Sequence, residues 1–101
     1  GEKVYPEEVE EALKKHPGVT DCLVVGLPDE RFGQRVVAVA VAVKSFAGSE
    51  ADILETARAN LAGYKLPKQI FMAPYVQRSP SGKPDYPWAR EFAAAAATAR
   101  A

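Results

Sequence analysis

One cysteine, one histidine, one methionine and one tryptophan are all that this 101-residue chain contains of those four types, and each shortage removes a class of chemistry. Cys22 has no partner for an internal disulfide and lies in the apolar run "CLVVGL". Its expected place is a reduced, buried core position in a cytoplasmic protein. A single imidazole and a single thiol cannot build a zinc cluster. His16 precedes Pro17 at the end of a predicted helix and reads as a capping or surface residue. Neither Ser79 nor Ser81 has a positioned histidine, so a hydrolase triad is excluded. No GxxxxGK[ST] or GxGxxG loop is present to cradle phosphates. Charge of one sign is also missing: 13 basic and 13 acidic residues cancel, which argues against nucleic acid or an anionic membrane as a partner. The longest apolar run, "VVAVAVAV", is far short of the ~20 residues that span a bilayer, so no transmembrane segment is expected.

What is present is enough for a core, at 48% hydrophobic and 26% charged residues. "YPEEVEEALKKHPG" carries helix punctuation throughout. Pro6 suits the first turn, Glu7 and Glu8 favour the positive end of the dipole, and Lys14, Lys15 and His16 the negative end before Pro17-Gly18. Val9, Ala12, Leu13 and His16 share its apolar face, and the pairs Glu7/Glu8 and Glu10/Glu11 are expected on its solvated face. "VTDCLVVGL" reads as a strand ended by the turn "PDERFGQ". "RVVAVAVAVK" places Val37, Val39, Val41 and Val43 on one face and Ala38, Ala40 and Ala42 on the other. Both faces are apolar, so it should be a central strand, with the alanine face open to close approach by a helix.

"GSEADILETARANLAG" is a second predicted helix, with Ser49 as N-cap, Gly63 as the C′ stop and Ile53, Leu54, Ala57 and Leu61 as its buried stripe. "QIFMA" is a third strand, and a last helix starts at about Trp88. The order αββαβα predicts an α+β domain on a small, largely antiparallel sheet with helices packed on it. The chain opens at "GEKVYPEEVEE", already inside a helix signal, and closes on "AAAAATARA". It is expected to be a single domain cut from a longer protein, with an ordered core over about 1–92 and an alanine-rich tail over 93–101. "RSPSGKPDY" reads as a mobile, exposed loop with Lys83 at its centre. On composition alone, that lysine is a solvated charge on a turn.

Three stretches change that reading when taken in order. "GEKVYPEEVEEALKKHPGVTDCLVVGLPDERFGQ", "LAGYKLPKQIFMA" and "QRSPSGKPDY" together resemble the C-terminal domain of the adenylate-forming enzymes: acyl-CoA synthetases, luciferases and peptide-synthetase adenylation domains. The resemblance runs from Gly1 to about Arg90 and is most like an acyl-CoA synthetase. It departs after Lys83, where "GKPDYPWAREF" replaces the basic run of many relatives. That ending is similar to those of fatty-acyl or steroid-side-chain CoA ligases. Two other readings stand beside it: a peptide-synthetase adenylation subdomain, and a non-catalytic α+β interaction module in which Lys83 is dispensable.

The resemblance implies that Lys83 is the catalytic lysine of carboxylate adenylation, in which ATP and a carboxylic acid give acyl-adenylate and pyrophosphate. The acyl group then passes to CoA. The implied partners are an N-terminal domain of the same chain, a carboxylic (fatty) acid, ATP and CoA, with Mg2+ bound mainly by that N-terminal domain. The small domain rotates between the two steps, presenting the lysine in one and the opposite face in the other. On that opposite face Gly1 and Glu2 would line the pantetheine passage, Phe32 would sit at the tunnel mouth, Tyr64 would stack near the CoA adenine and Lys65 would meet a CoA phosphate. The chemistry suits a lysine: carboxylate attack on phosphorus brings two anions together, and a compact ammonium with three donors can bridge them.

Overall fold

A computed structural model describes residues 3–31 and 33–100. Helix α1 (Pro6–Lys14) is followed by strands β1 (Val19–Asp29) and β2 (Gly33–Ala42), helix α2 (Glu50–Arg58), a 3-10 turn (Gly63–Lys65), strand β3 (Gln69–Met72) and helix α3 (Tyr86–Arg100). The sheet order is β1-β2-β3, which makes β2 the central strand, as its two apolar faces require. β1 and β2 form a long antiparallel hairpin, with Asp29 opposite Gly33 at its tip. β3 pairs parallel to β2, Val37 opposite Gln69 through Ala40 opposite Met72. The sheet is therefore mixed, its antiparallel ladder the longer. The parallel pair follows from connectivity: α2 carries the chain back along the sheet before β3 begins.

The two faces of β2 bury different layers. On the alanine face, Ala38 and Ala40 pack with Val9 and Leu13 of α1, Ile53 and Ala57 of α2, and Cys22, Val24 and Ile70. On the valine face, Val37 and Val39 pack with Leu23, Val25, Leu27 and Phe71 beneath Ala89 and Ala93 of α3. Small residues thus let α1 and α2 approach on one side, and alanines of α3 do the same on the other. Burying a Leu-, Ile- or Phe-sized side chain contributes about 1.5–3 kcal/mol, so Leu13, Leu23, Ile53, Ile70 and Phe71, all fully buried, anchor the two layers.

Local chemistry sets the element ends. Ser49 caps α2 in a capping box, its hydroxyl accepting from the Asp52 N–H while the Asp52 carboxylate accepts from the Ser49 N–H. That helix stops at Arg58 rather than running to Gly63, because the Asn60 side-chain amide donates to the Thr56 carbonyl at 2.9 Å and supplies a local alternative to the next helical bond. Gly63 instead opens the 3-10 turn. His16 caps the turn after α1: its Nδ1 accepts from the Gly18 N–H at 2.8 Å, and its ring meets Phe46 edge-on. A Cβ at Gly18 would lie 2.4 Å from the Phe46 ring, so any larger residue there requires that ring to move. The alanine stretch expected to form a tail is helical to Arg100; Ala93 is fully buried and Arg100 pairs with Glu50 at 2.6 Å.

Candidate active site

The segment around Lys83 is a bonded hairpin rather than the loose loop expected. Pro80 and Ser81 occupy the middle of a turn closed by the Gly82 N–H donating to the Ser79 carbonyl at 2.8 Å. Gly82 then takes a positive φ of 88°, and the Ser79 N–H donates to the Lys83 carbonyl at 2.9 Å. This is a type I turn followed by a left-handed residue, a frequent solution for three-residue hairpin loops; Pro at the second turn position and Gly at the left-handed one suit it. The Lys83 N–H also donates to the Ser79 hydroxyl at 3.1 Å. Arg78 bridges to Pro84, and the Asp85 N–H donates to the Gln77 carbonyl at 3.1 Å to close the base.

Asp85 then starts α3. Its carboxylate accepts from the Trp88 N–H at 3.0 Å as an N-cap and from the Gln77 side chain at 2.8 Å, and these donors hold its carboxyl below the usual range. The last helix consequently begins at Tyr86, two residues before the predicted start.

Two polar clamps tie this hairpin to the open edge of β1. Arg78 donates from Nε and Nη2 to the two oxygens of Asp21, at 2.9 and 2.8 Å, while its Nη1 donates to the Gly82 carbonyl at 3.0 Å. The guanidinium holds the Asp21 carboxyl below its ordinary value. Asp21 also accepts from the Cys22 N–H at 2.8 Å. The second clamp is Glu10, which is buried, contrary to its expected place on a solvated helix face. Its carboxylate accepts from the Val24 N–H and the Tyr86 hydroxyl, each at 2.9 Å. Burial raises the Glu10 carboxyl above its ordinary value, and the two donors oppose that rise. Asp21 and Glu10 thus cover backbone N–H groups of an edge strand that would otherwise invite pairing. Lys83 itself is exposed, beside a shallow depression of about 260 Å³ lined by Gln77, Arg78, Ser79, Pro84, Asp85 and Pro87.

The other candidate residues gather elsewhere. Tyr64 is half-exposed and lines a depression of about 250 Å³ with Gln34, Arg35, Val36, Leu66 and Lys68. Lys65 next to it donates to both oxygens of Glu8 at 2.9 and 3.0 Å, which raises the ammonium's pKa; its Nζ also lies 5.7 Å from the Tyr64 ring centroid. A phosphate at Lys65 would have to compete with that carboxylate. A larger cavity of about 360 Å³ adjoins the same strand end, lined by Val4, Pro6, Val24, Val25 and Gly26 and sharing Gln34, Arg35 and Val36. Gly1, Glu2 and Phe32 lie outside the described residues. Among the described residues, no three His, Cys, Asp or Glu side chains come together to hold a metal ion. No described helix is long and apolar enough to cross a membrane.

A profile of the AMP-binding enzyme C-terminal domain matches residues 8–83, most of the chain. The chain belongs to that family. The match ends on Lys83 itself. A 3-oxocholest-4-en-26-oate–CoA ligase of Rhodococcus rhodochrous is 54% identical over 91 residues, covering 90% of this chain and 16% of that protein. A medium/long-chain-fatty-acid–CoA/3-oxocholest-4-en-26-oate–CoA ligase of Mycobacterium tuberculosis is 55% identical, covering 90% of this chain and 17% of its own length. Among solved structures, a fatty acyl CoA synthetase of Mycobacterium tuberculosis superposes with a TM-score of 0.85 at 41% identity, covering 95% of this chain and 19% of that one. The chain therefore spans about one-sixth of the length of these curated relatives.

Within this family domain, four residues that the sequence did not single out shape the Lys83 segment: Glu10, Asp21, Arg78 and Tyr86. Arg78 and Asp21 both lie inside the stretches that carry the family resemblance, although nothing local pairs them. Glu10 and Tyr86 gave no signal either, because a glutamate between other glutamates on a charged helix looks solvated until the strand edge beside it is known.

Proposed function

We propose that this domain is the mobile C-terminal domain of an AMP-forming acyl-CoA ligase and that Lys83 is its catalytic contribution to carboxylate adenylation. The observation that carries the reading is the hairpin: a single ammonium projects, exposed, from a turn closed by backbone bonds on both sides of Gly82. That is the arrangement needed to present a charge to a second domain without losing its direction. In the adenylation step the Lys83 ammonium bridges the attacking carboxylate oxygen and the α-phosphoryl oxygens, offsetting the charge that develops there. It acts while protonated and transfers no proton. ATP, Mg2+ and the acyl chain are assigned to the N-terminal domain. The names of the relatives support an apolar acid, fatty or steroid side-chain, as substrate.

The face with Tyr64, Lys65 and the cavity at Val4 and Gly26 is the proposed CoA side, used in the second step after the domain has turned. The Glu8–Lys65 pair makes Lys65 a ligand for a CoA phosphate only after it leaves the carboxylate.

The test is acid-dependent ATP–pyrophosphate exchange by the full ligase chain carrying Lys83→Ala. Removing a placed electrostatic group lowers such a rate by about 10²–10³, while acyl transfer from supplied acyl-adenylate to CoA should be preserved. Exchange at the parent rate would sink the assignment and favour the non-catalytic module.

A further inference from the structure

The guanidinium of Arg78 makes three bonds with two different targets. Two go to the carboxylate of Asp21 and one goes to the carbonyl of Gly82, the residue directly before Lys83. We propose that Asp21 and Arg78 form a positioning device for Lys83: Asp21 fixes the guanidinium against the edge of β1, and the guanidinium fixes the peptide unit from which Lys83 departs. The proposal rests on the adenylation role of Lys83 and extends it to two residues that touch no substrate.

The need for such a device follows from the backbone. Gly82 has a φ of 88°, with open space where a Cβ would lie, so neither a side chain nor packing restricts it, and glycine is the residue with the least intrinsic preference for one backbone well. The turn bonds fix the Gly82 N–H and the Lys83 N–H and carbonyl. The Gly82 carbonyl is directed by Arg78. An Arg fork is suited to this and a lysine is not, because five donors in one plane can hold a carboxylate and a carbonyl at the same time. Asp21 in turn lies on a strand whose neighbouring N–H it also binds, so the reference point is the sheet itself. The geometry ties Lys83 to β1 through three consecutive polar contacts, in addition to the turn's own bonds.

A pair that served only stability would behave differently from one that also aims the lysine. A set of variants of the full ligase chain separates these cases, with ATP–pyrophosphate exchange, acyl transfer from preformed acyl-adenylate and thermal melting measured on each. Arg78→Lys keeps the positive charge and loses the fork; exchange should fall by about 10- to 100-fold, the range for small misplacement of a reacting group, with acyl transfer unchanged. Asp21→Arg combined with Arg78→Asp restores an ion pair but puts a carboxylate next to the Gly82 carbonyl. Its melting temperature should recover relative to either single change while exchange stays low. In a Lys83→Ala background, Arg78→Lys should cause no further loss of exchange.

Normal exchange in Arg78→Lys, recovery of exchange in the swapped pair, or a full additional loss on top of Lys83→Ala would each overturn the positioning role. If the swapped pair does not fold, Arg78→Lys alone and in the Lys83→Ala background decide the matter. Normal exchange by Lys83→Ala alone would instead remove the catalytic reading, and this proposal with it. A dead Lys83→Ala beside a normal Arg78→Lys removes only the positioning.

Discussion

The hydroxyl of Tyr86 donates to the carboxylate of Glu10 at 2.9 Å across 76 positions of sequence. One bond therefore joins the first turn of the last helix to the first helix, at the base of the hairpin that carries Lys83. Burial and the neighbouring carboxylate push the Tyr86 phenol up, so it remains a donor across the working pH range.

Replacing Tyr86 by Phe should cost about 1–3 kcal/mol, the penalty for leaving a buried acceptor short of a partner. At this size that corresponds to a fall of roughly 4–8 °C in melting temperature per kcal/mol. The pH dependence gives a second check. Glu10 is already raised by burial, so the folded state holds its proton more firmly than the unfolded chain. Its contribution is fully present at low pH and is lost as pH rises from roughly 4.3, the unperturbed value, through the raised folded one. Tyr86→Phe removes a bond that favours the carboxylate, so the loss should extend to higher pH; Glu10→Gln should remove that slope. Asp21 has the opposite sign, but its lowered value confines its effect to pH below roughly 4. Melting curves between pH 4 and 8 for the three proteins would read this directly, and identical slopes would refute the burial argument.

Gly82→Ala places a side chain at a φ of 88°. Space is not the obstacle, since nothing lies within 4 Å of the added Cβ; the backbone conformation is. The expected cost is about 1–2 kcal/mol. In the full ligase, adenylation should fall more than the melting temperature suggests, because relieving the strain re-aims Lys83. An unchanged exchange rate with a lowered melting temperature would mean that the turn tolerates re-aiming.

Enlarging the alanine face tests how closely the helices are seated. Ala38 is fully buried in the layer shared with α1 and α2, so Ala38→Leu should destabilise by about 1–3 kcal/mol through overpacking. Denaturant unfolding that showed a stabilised variant would mean that the layer contains unfilled space.

Cys22 should not react with thiol reagents while the domain is folded. It is fully buried, its thiol faces the Glu10 carbonyl at 3.6 Å, and burial pushes its pKa up to about 12, so little thiolate forms. Labelling should track unfolding; rapid labelling at neutral pH in native buffer would contradict this burial.

The elements that sequence could place were those whose pattern is local. The period-2 alternation of Val37 to Val43 marked the central strand, Ser49 marked the start of α2, and Pro17-Gly18 closed the first helix. The parallel direction of β3 was implicit in α2 lying between two strands, yet no run of residues spells it. Lys83 was legible only through three motifs in register. Its supports were not, because Asp21 and Arg78 lie 57 positions apart and their meeting depends on which edge of the sheet is open. The end of α2 was missed for a smaller reason: Asn60 competes for a helix carbonyl, and Gly63 looked like the more usual stop.

β1 runs in the sheet from Val19 to Asp29, its register to β2 shifting between Val19 and Asp21. Asp21 lies near one end, where it grips the Lys83 hairpin, and Asp29 lies at the other, opposite Gly33 at the hairpin tip. At about 3.3 Å per residue these points are roughly 26 Å apart. On the proposed roles, the strand acts as the beam of a balance, with the Lys83 hairpin at one end and the CoA side toward the other. A rotation that carries one end toward the N-terminal domain then carries the other away from it, so on those roles the two half-reactions would alternate without a separate signal between them.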